Sequence, residues 1–161
     1  MNAEPVQEKL QGLRGWLILF GIGLFVAPIF MSVQLYQAYI PMFGHNTWAI
    51  LTTPGTVAYH PFWGMLIVGE VVFNLCLVLA MCWLLILFFS KKKQLPTTYI
   101  VIAIIFPVWL VVDQALLTIV LPNHKMFNAE TINQLLRTVI SGAIWISYML
   151  RSKRVKATFI R

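Results

Sequence analysis

The sequence predicts an all-α membrane protein, a bundle of four transmembrane helices with both termini in the cytoplasm. Of its 161 residues, 60% are hydrophobic and 11% are charged, and the mean hydropathy is +0.81. A soluble domain carries about 25% charged residues, so this chain lacks the polar surface that such a domain needs. The apolar residues also lie in runs long enough to cross ~30 Å of hydrocarbon, which takes roughly 20 residues.

Four segments of the chain have the length and composition of a membrane span. They cover approximately residues 15–39, 62–89, 97–121 and 131–150. The apolar runs are uninterrupted, which indicates helices, because the strands of a membrane barrel alternate with a period of two. Short connections join the four spans, and we therefore expect one domain over residues 1–161 that ends in a basic tail, residues 151–161.

The first predicted loop, residues 40–61, is long and is interrupted by prolines and glycines. Asn46 precedes a short apolar stretch in this loop, and we expect its side chain to cap a helical turn there. The second loop on the same side, near residues 122–130, is short and polar.

The distribution of Lys and Arg predicts the orientation. One side of the predicted bundle carries only Lys125, whereas the other side carries three basic clusters: Lys9 and Arg14, residues 91–93, and Arg151, Lys153, Arg154, Lys156 and Arg161. The positive-inside rule places the clusters in the cytoplasm, in a multi-pass protein of the bacterial inner membrane. Because these cations lie beside the predicted spans, they indicate anionic lipid as a partner and argue against nucleic acid.

Three ionisable residues lie inside the predicted spans: Glu70, Asp113 and Arg137. Each charge costs roughly 2.5–3.5 kcal/mol at the centre of a membrane helix. At 1.5 Å per residue, all three lie roughly 9–12 Å below the outer boundary of the bilayer. We therefore expect a polar cluster, with an Arg137–Asp113 or Arg137–Glu70 ion pair or all three groups together.

Polar uncharged residues are expected to surround this cluster. They lie at similar depth or one helical turn deeper, and they are Gln34, Asn74, Gln114, Gln134 and Ser141. Two interpretations stay open for the cluster. It either fixes the register of the helices, as paired buried charges can, or it binds a ligand or a proton.

Other chemistry is not indicated. The three histidines are scattered through the outer loops, and Cys76 and Cys82 are six residues apart, so neither metal ligation nor a redox motif is expected. No nucleophile, base and orienting group occur together, and we predict neither enzymatic activity nor a cofactor.

Two segments resemble a known family. Residues 12–21, GLRGWLILFG, are similar to the opening of a bacterial membrane family named domain of unknown function 2569. Trp145, Ser147 and Tyr148, followed by residues 151–159, resemble its closing pattern. The resemblance implies a small four-helix protein of the bacterial inner membrane and assigns no activity and no functional residues.

Two functions follow as hypotheses. The first is an accessory or scaffold protein whose intramembrane cluster stabilises the bundle and whose surfaces bind a second copy or a larger membrane complex. The alternative is a small transporter or solute-binding protein in which Glu70, Asp113 and Arg137 form a site open to the periplasm. A hydrated cavity at the cluster favours the alternative, and a sealed, fully paired cluster favours the scaffold.

Overall fold

A computed structural model describes residues 12–44 and 46–160; Lys9, His45 and Arg161 lie outside these ranges. All of the regular structure in the described ranges is helical. The helices are α1 (Trp16–Gly44), α2 (Thr47–Thr52), α3 (Trp63–Phe89), α4 (Leu95–Val120), α5 (Ala129–Arg151) and α6 (Lys153–Thr158). α1 continues past the predicted end near residue 39, and its helix includes both Pro28 and Pro41.

Three helices, α1, α3 and α4, are long and apolar enough to cross a membrane. α5 has 23 residues, which is sufficient length, but its composition is more polar. It contains Asn133, Gln134, Arg137 and Ser141. The fold is therefore all-α with three clear candidate spans, and membrane insertion of α5 stays a prediction.

The long helices pack in chain order, with α3 between α1 and α4, and α4 between α3 and α5. α4 and α5 approach closely at Gly142, where an added Cβ atom would lie 3.9 Å from the backbone oxygen of Ala103. α1 and α5 meet through aromatic side chains at one end of the bundle, where the rings of Phe20 and Trp145 are 5.2 Å apart. A cleft separates these two helices elsewhere, and two of the three cavities described below, those of about 260 and 230 Å³, lie along it.

The hydrophobic core occupies the end of the bundle that carries Lys91, Lys92, Lys93 and Arg151, here called the basic end. Phe20 contacts Tyr99 edge-on at 5.0 Å between ring centres and also packs against Phe88. Leu17 and Leu84 are completely buried in the same cluster. Aromatic pairs of this kind add about 0.5–1.5 kcal/mol beyond the area that they bury.

The other end, here called the loop end, is covered by α2. Trp48 of α2 packs against Phe43 of α1 at 5.3 Å, and α2 also contacts α3. The helical turn predicted after Asn46 is present, but the predicted side-chain cap is wrong. Asn46 has a left-handed backbone with φ of 58° and makes no capping hydrogen bond, so its short polar side chain serves the turn instead.

The tail folds back on the basic end. Ser152 caps α6 by accepting a hydrogen bond from the Val155 amide, and Val155 and Phe159 are buried in the core. The Gly12 amide donates to Thr158 Oγ1 at 3.2 Å, which joins the two ends of the described chain. Of the four predicted lipid-facing cations, Arg151, Lys153 and Lys156 are exposed, whereas Arg154 is half-buried with its Nη1 atom inside the protein.

A glycine pair tests the packing of the core. A Cβ atom at Gly21 would lie 2.8 Å from two ring atoms of Phe88, whereas one at Gly23 would meet no atom within 4 Å. Since Phe88 is confined by Phe20 and Phe159, Gly21→Ala is expected to lower the free energy of unfolding by about 1–3 kcal/mol. Thermal unfolding in detergent measures this effect, and Gly23→Ala is the matched control; equal midpoints for the two variants would contradict the packing described.

Candidate functional site

A polar cavity of about 260 Å³ lies among α1, α3, α4 and α5, on the loop side of the hydrophobic core. Its wall contains two carboxylates, three amides and a phenol together with aliphatic and aromatic side chains. The lining residues are Met31, Gln34, Leu35, Ala38, Tyr39, Glu70, Asn74, Phe106, Trp109, Leu110, Asp113 and Gln134. The structure thus brings together Gln34, Glu70, Asn74, Asp113 and Gln134, five of the residues predicted from the sequence.

Glu70 reaches the cavity from α3. Asn74 follows one turn later on the same face and donates from its Nδ2 atom to the Glu70 backbone oxygen at 2.9 Å. This bond holds the Asn74 amide against its own helix beside the cavity. Tyr39 of α1 places its phenol next to both Glu70 and Asn74, so that α1 and α3 meet through polar groups at this depth.

Asp113 reaches the cavity from α4 and is 8% exposed. Gln114 Nε2 approaches Asp113 Oδ2 at 3.5 Å, which is longer than an ordinary hydrogen bond. The other side of the Gln114 amide accepts a hydrogen bond from Thr131 Oγ1 at 3.1 Å and contacts His124 Nε2 at 3.0 Å. Gln114 therefore connects Asp113 to the start of α5 and to the preceding loop.

An aromatic wall completes the cavity. The Trp109 ring stacks on Phe73 with ring centres 4.0 Å apart and planes inclined by 14°. Because this stack joins α3 to α4, it fixes the orientation of the indole that borders the cavity. Trp109 and Asp113 also border a second, more apolar cavity of about 290 Å³ between α3 and α4, which Phe62, Leu66, Leu116 and Val120 help to line.

Arg137 is not part of the cavity lining, and its side chain is exposed. The predicted ion pair of Arg137 with Asp113 or Glu70 is not formed in the part of the chain that the structure describes. Arg137 lies three residues after Gln134, about 60° around the helix, and of the two only Gln134 borders the cavity. Similar depth in the helices is therefore not sufficient to pair Arg137 with a carboxylate.

Ser141 is likewise separated from the carboxylates. It lines another cavity of about 230 Å³, nearer the basic end, together with Gly23, Ala27 and Trp145. Gln114 lies outside the lining and touches the site through Asp113. Across residues 12–44 and 46–160, no three His, Cys, Asp or Glu side chains are grouped so that they would hold a metal ion.

The prediction missed Tyr39 and Trp109. A sequence signal existed for Trp109, because it precedes Asp113 by four residues and therefore shares its helix face. Tyr39 carried a weaker signal, since it lies five residues after Gln34 and close to the predicted end of the first span. Its contribution becomes visible only because α1 continues as a helix to Gly44.

The fold and the cavity define a helical membrane protein with an acidic polar site among its helices. A protein-family model described as protein of unknown function (DUF2569) matches residues 10–160, and the chain belongs to this family, which confirms the resemblance seen at its two ends. Over 78 residues the chain is 32% identical to inner membrane protein YdgK of Escherichia coli (strain K12). The alignment covers 48% of this chain and 49% of that relative, about half the length of each. No solved structure matches the chain.

The Gln114 contacts can be tested by substitution. Gln114→Leu removes the oxygen that accepts the hydrogen bond of the Thr131 hydroxyl. Thr131 is only 5% exposed, and leaving a buried polar group without a hydrogen bond costs about 1–3 kcal/mol. We expect a lower midpoint of thermal unfolding in detergent. Gln37→Leu is the matched control, because Gln37 is exposed on α1; an equal decrease in the control would show that the loss of any span glutamine, and not the Thr131 contact, causes the effect.

Proposed function

We propose that this protein is a small solute-binding or transport protein of the bacterial inner membrane, and that its polar cavity is the binding site. One observation carries the proposal: Glu70 and Asp113 border a cavity of about 260 Å³, and among residues 12–44 and 46–160 no Lys or Arg lines it. Carboxylates used only to fix helix register are normally paired with a cation. Ionisable groups that border a space inside the membrane are typical of substrate and proton pathways.

The proposed topology has four membrane-spanning helices, α1, α3, α4 and α5, with both termini in the cytoplasm. The basic residues support it, because Lys91–Lys93 and Arg151–Lys156 lie at the basic end and Lys125 lies at the loop end. The name of the E. coli relative supports the inner membrane as its location. In this topology the loop end and the cavity face the periplasmic half of the bilayer.

The partners that fit this proposal are lipids and, for the cavity, a small solute. The exposed cations Arg151, Lys153 and Lys156 are placed to contact anionic headgroups at the cytoplasmic face. Their position next to the helix ends, and not on a separate basic domain, gives no support to nucleic-acid binding.

Labelling of single cysteines tests whether the cavity is hydrated from the outer side. Cys76 and Cys82 are first replaced by Ala, and Ala38→Cys or Gln134→Cys is then introduced at the cavity wall. In intact cells both positions are expected to react with a membrane-impermeant thiol reagent, because water reaches them through the cleft between α1 and α5. Leu79→Cys is the matched control, since Leu79 is 68% exposed in the middle of α3 and faces lipid.

The result is decided by comparison with that control. Labelling at Ala38→Cys and Gln134→Cys but not at Leu79→Cys supports a cavity open to the periplasm. If both cavity positions react only after the cells are permeabilised, the site opens to the cytoplasm and the proposed orientation is wrong. If correctly folded variants react in neither condition, the cavity is sealed and a solute-binding role is rejected.

A second candidate function is that of an accessory subunit, and α5 is the observation that favours it. Its polar residues Asn133, Gln134, Arg137 and Ser141 are exposed in a single chain. In hydrocarbon such side chains need a protein partner or water. A second copy or a larger membrane complex that covers this polar face of α5 would supply the partner.

The accessory role predicts an assembly that depends on α5. Protein extracted in mild detergent is expected to have a mass above that of one chain, and Arg137→Gln is expected to reduce it to the monomer. Lys125→Gln, which removes an exposed cation from a loop, is the control and is expected to leave the assembly unchanged. Native mass spectrometry measures both; a wild-type monomer in lipid nanodiscs would contradict this role.

A further inference from the structure

The polar cavity has a charge and a wall that indicate which solutes it accepts. We propose that it binds a small organic cation that carries apolar groups. This inference rests on the proposed function, because it assigns a substrate class to the same site. Three features of the cavity support it independently: a buried carboxylate with no Lys or Arg beside it in the described lining, a fixed aromatic wall and an adjoining apolar cavity.

The first feature is the charge of Asp113. This side chain is 92% buried and borders the cavity, yet its side-chain contact is one long approach from Gln114 Nε2 at 3.5 Å. His124 contacts Gln114, the neighbour of Asp113, and Arg137 is not among the residues that line the cavity. A buried carboxylate is costly unless it is paired. Glu70 of α3 borders the same cavity. A ligand cation bound in this cavity would therefore compensate the charges of both carboxylates.

The second feature is the aromatic wall. The face of Trp109 is fixed by its stack on Phe73, and Tyr39 and Phe106 complete the aromatic lining. Aromatic faces attract ammonium groups, and the attraction is worth about 0.5–1 kcal/mol at exposed sites and about 2 kcal/mol in desolvated ones. Calcium and magnesium ions instead require six or more oxygen ligands, which in proteins are carboxylates, carbonyls and waters. The mixed acidic and aromatic lining therefore fits an organic ammonium group better than a divalent metal ion.

The third feature is the second cavity, of about 290 Å³, which shares Asp113 and Trp109 with the first. Its other lining residues are almost entirely apolar and include Phe62, Met65, Leu66, Leu116 and Ile119. A ligand whose charged group lies at Asp113 would find an apolar surface immediately beside it. The polar cavity is slightly smaller than the ~300–1,000 Å³ of typical ligand sites, which restricts the ligand to a small molecule.

Binding of benzyltrimethylammonium to the purified full chain tests the inference. The uncharged isostere neopentylbenzene and the anion benzenesulfonate are the comparison ligands, and isothermal titration calorimetry in lipid nanodiscs provides the affinities. We expect saturable binding of the cation and at least tenfold weaker binding of the other two ligands. Glu70→Gln and Asp113→Asn are expected to weaken cation binding at least tenfold, because each removes one negative charge while it preserves side-chain volume.

Two matched controls separate a specific effect from general damage. Glu130→Gln removes a carboxylate that lies outside the cavity lining and is expected to leave the affinity unchanged. Trp109→Leu is expected to weaken cation binding roughly 2- to 30-fold, in proportion to the lost cation–π attraction. Trp83→Leu, at an exposed position of α3, is the control for the loss of a tryptophan. If one carboxamide variant does not fold, the other variant and Trp109→Leu still decide the test.

The outcomes distinguish the substrate class from the function itself. Equal affinity for the cation and the neutral isostere, or unchanged cation affinity in the folded carboxamide variants, overturns the inference. Absence of cation binding in a protein whose Ala38→Cys and Gln134→Cys variants are labelled also overturns it, while the proposed solute-binding function remains. If folded Ala38→Cys and Gln134→Cys variants are labelled neither in intact nor in permeabilised cells, both the proposed solute-binding function and the cation site are rejected.

Discussion

Holding the carboxylates of Glu70 and Asp113 inside apolar helices costs free energy, and this cost governs how the bundle is packed. A charged side chain at the centre of a membrane helix costs roughly 2.5–3.5 kcal/mol, and within the described part of the chain no Lys or Arg of the cavity lining offsets this cost. It places both carboxylates on the wall of a cavity, next to the amides of Gln34, Asn74 and Gln134. A cavity therefore interrupts the packing of the helices at this depth, whereas aromatic and aliphatic side chains fill the basic end.

The bundle accordingly has a packed half and an open half. At the basic end, Phe20, Phe88, Tyr99 and Trp145 fill the space between the helices, and Phe159 of the folded-back tail packs on Phe88. Towards the loop end the same helices line the cavity, where Tyr39 of α1 lies next to Glu70 of α3 and the Phe73–Trp109 stack maintains the contact between α3 and α4. The hydrophobic core at the basic end holds the helices in place, and the same helices carry the polar residues of the cavity closer to the loop end.

α5 differs from the other long helices because one of its faces packs against α4 and another carries exposed polar residues. One face contacts α4 through Gly142 and through the buried Thr131 near its start, which donates to Gln114. Another face carries exposed Arg137 and Ser141 beside the cleft that separates α5 from α1. This polar face makes α5 less hydrophobic than the other long helices. It also explains the cleft, because burying these polar side chains against the apolar face of α1 without hydrogen bonds would cost free energy.

The sequence alone predicted the helical class, the positions of the long helices along the chain and the polar residues that lie within them. These properties follow from length, composition and depth along single helices, which can be read locally. It also indicated Glu70 and Asp113, and with them Gln34, Asn74 and Gln134. The partners of these residues depended on helix rotation and on the order of packing, which no single segment encodes. The packing of the helices left Arg137 outside the cavity lining, extended α1 so that Tyr39 reached Glu70, and buried Val155 and Phe159 of the tail in the core.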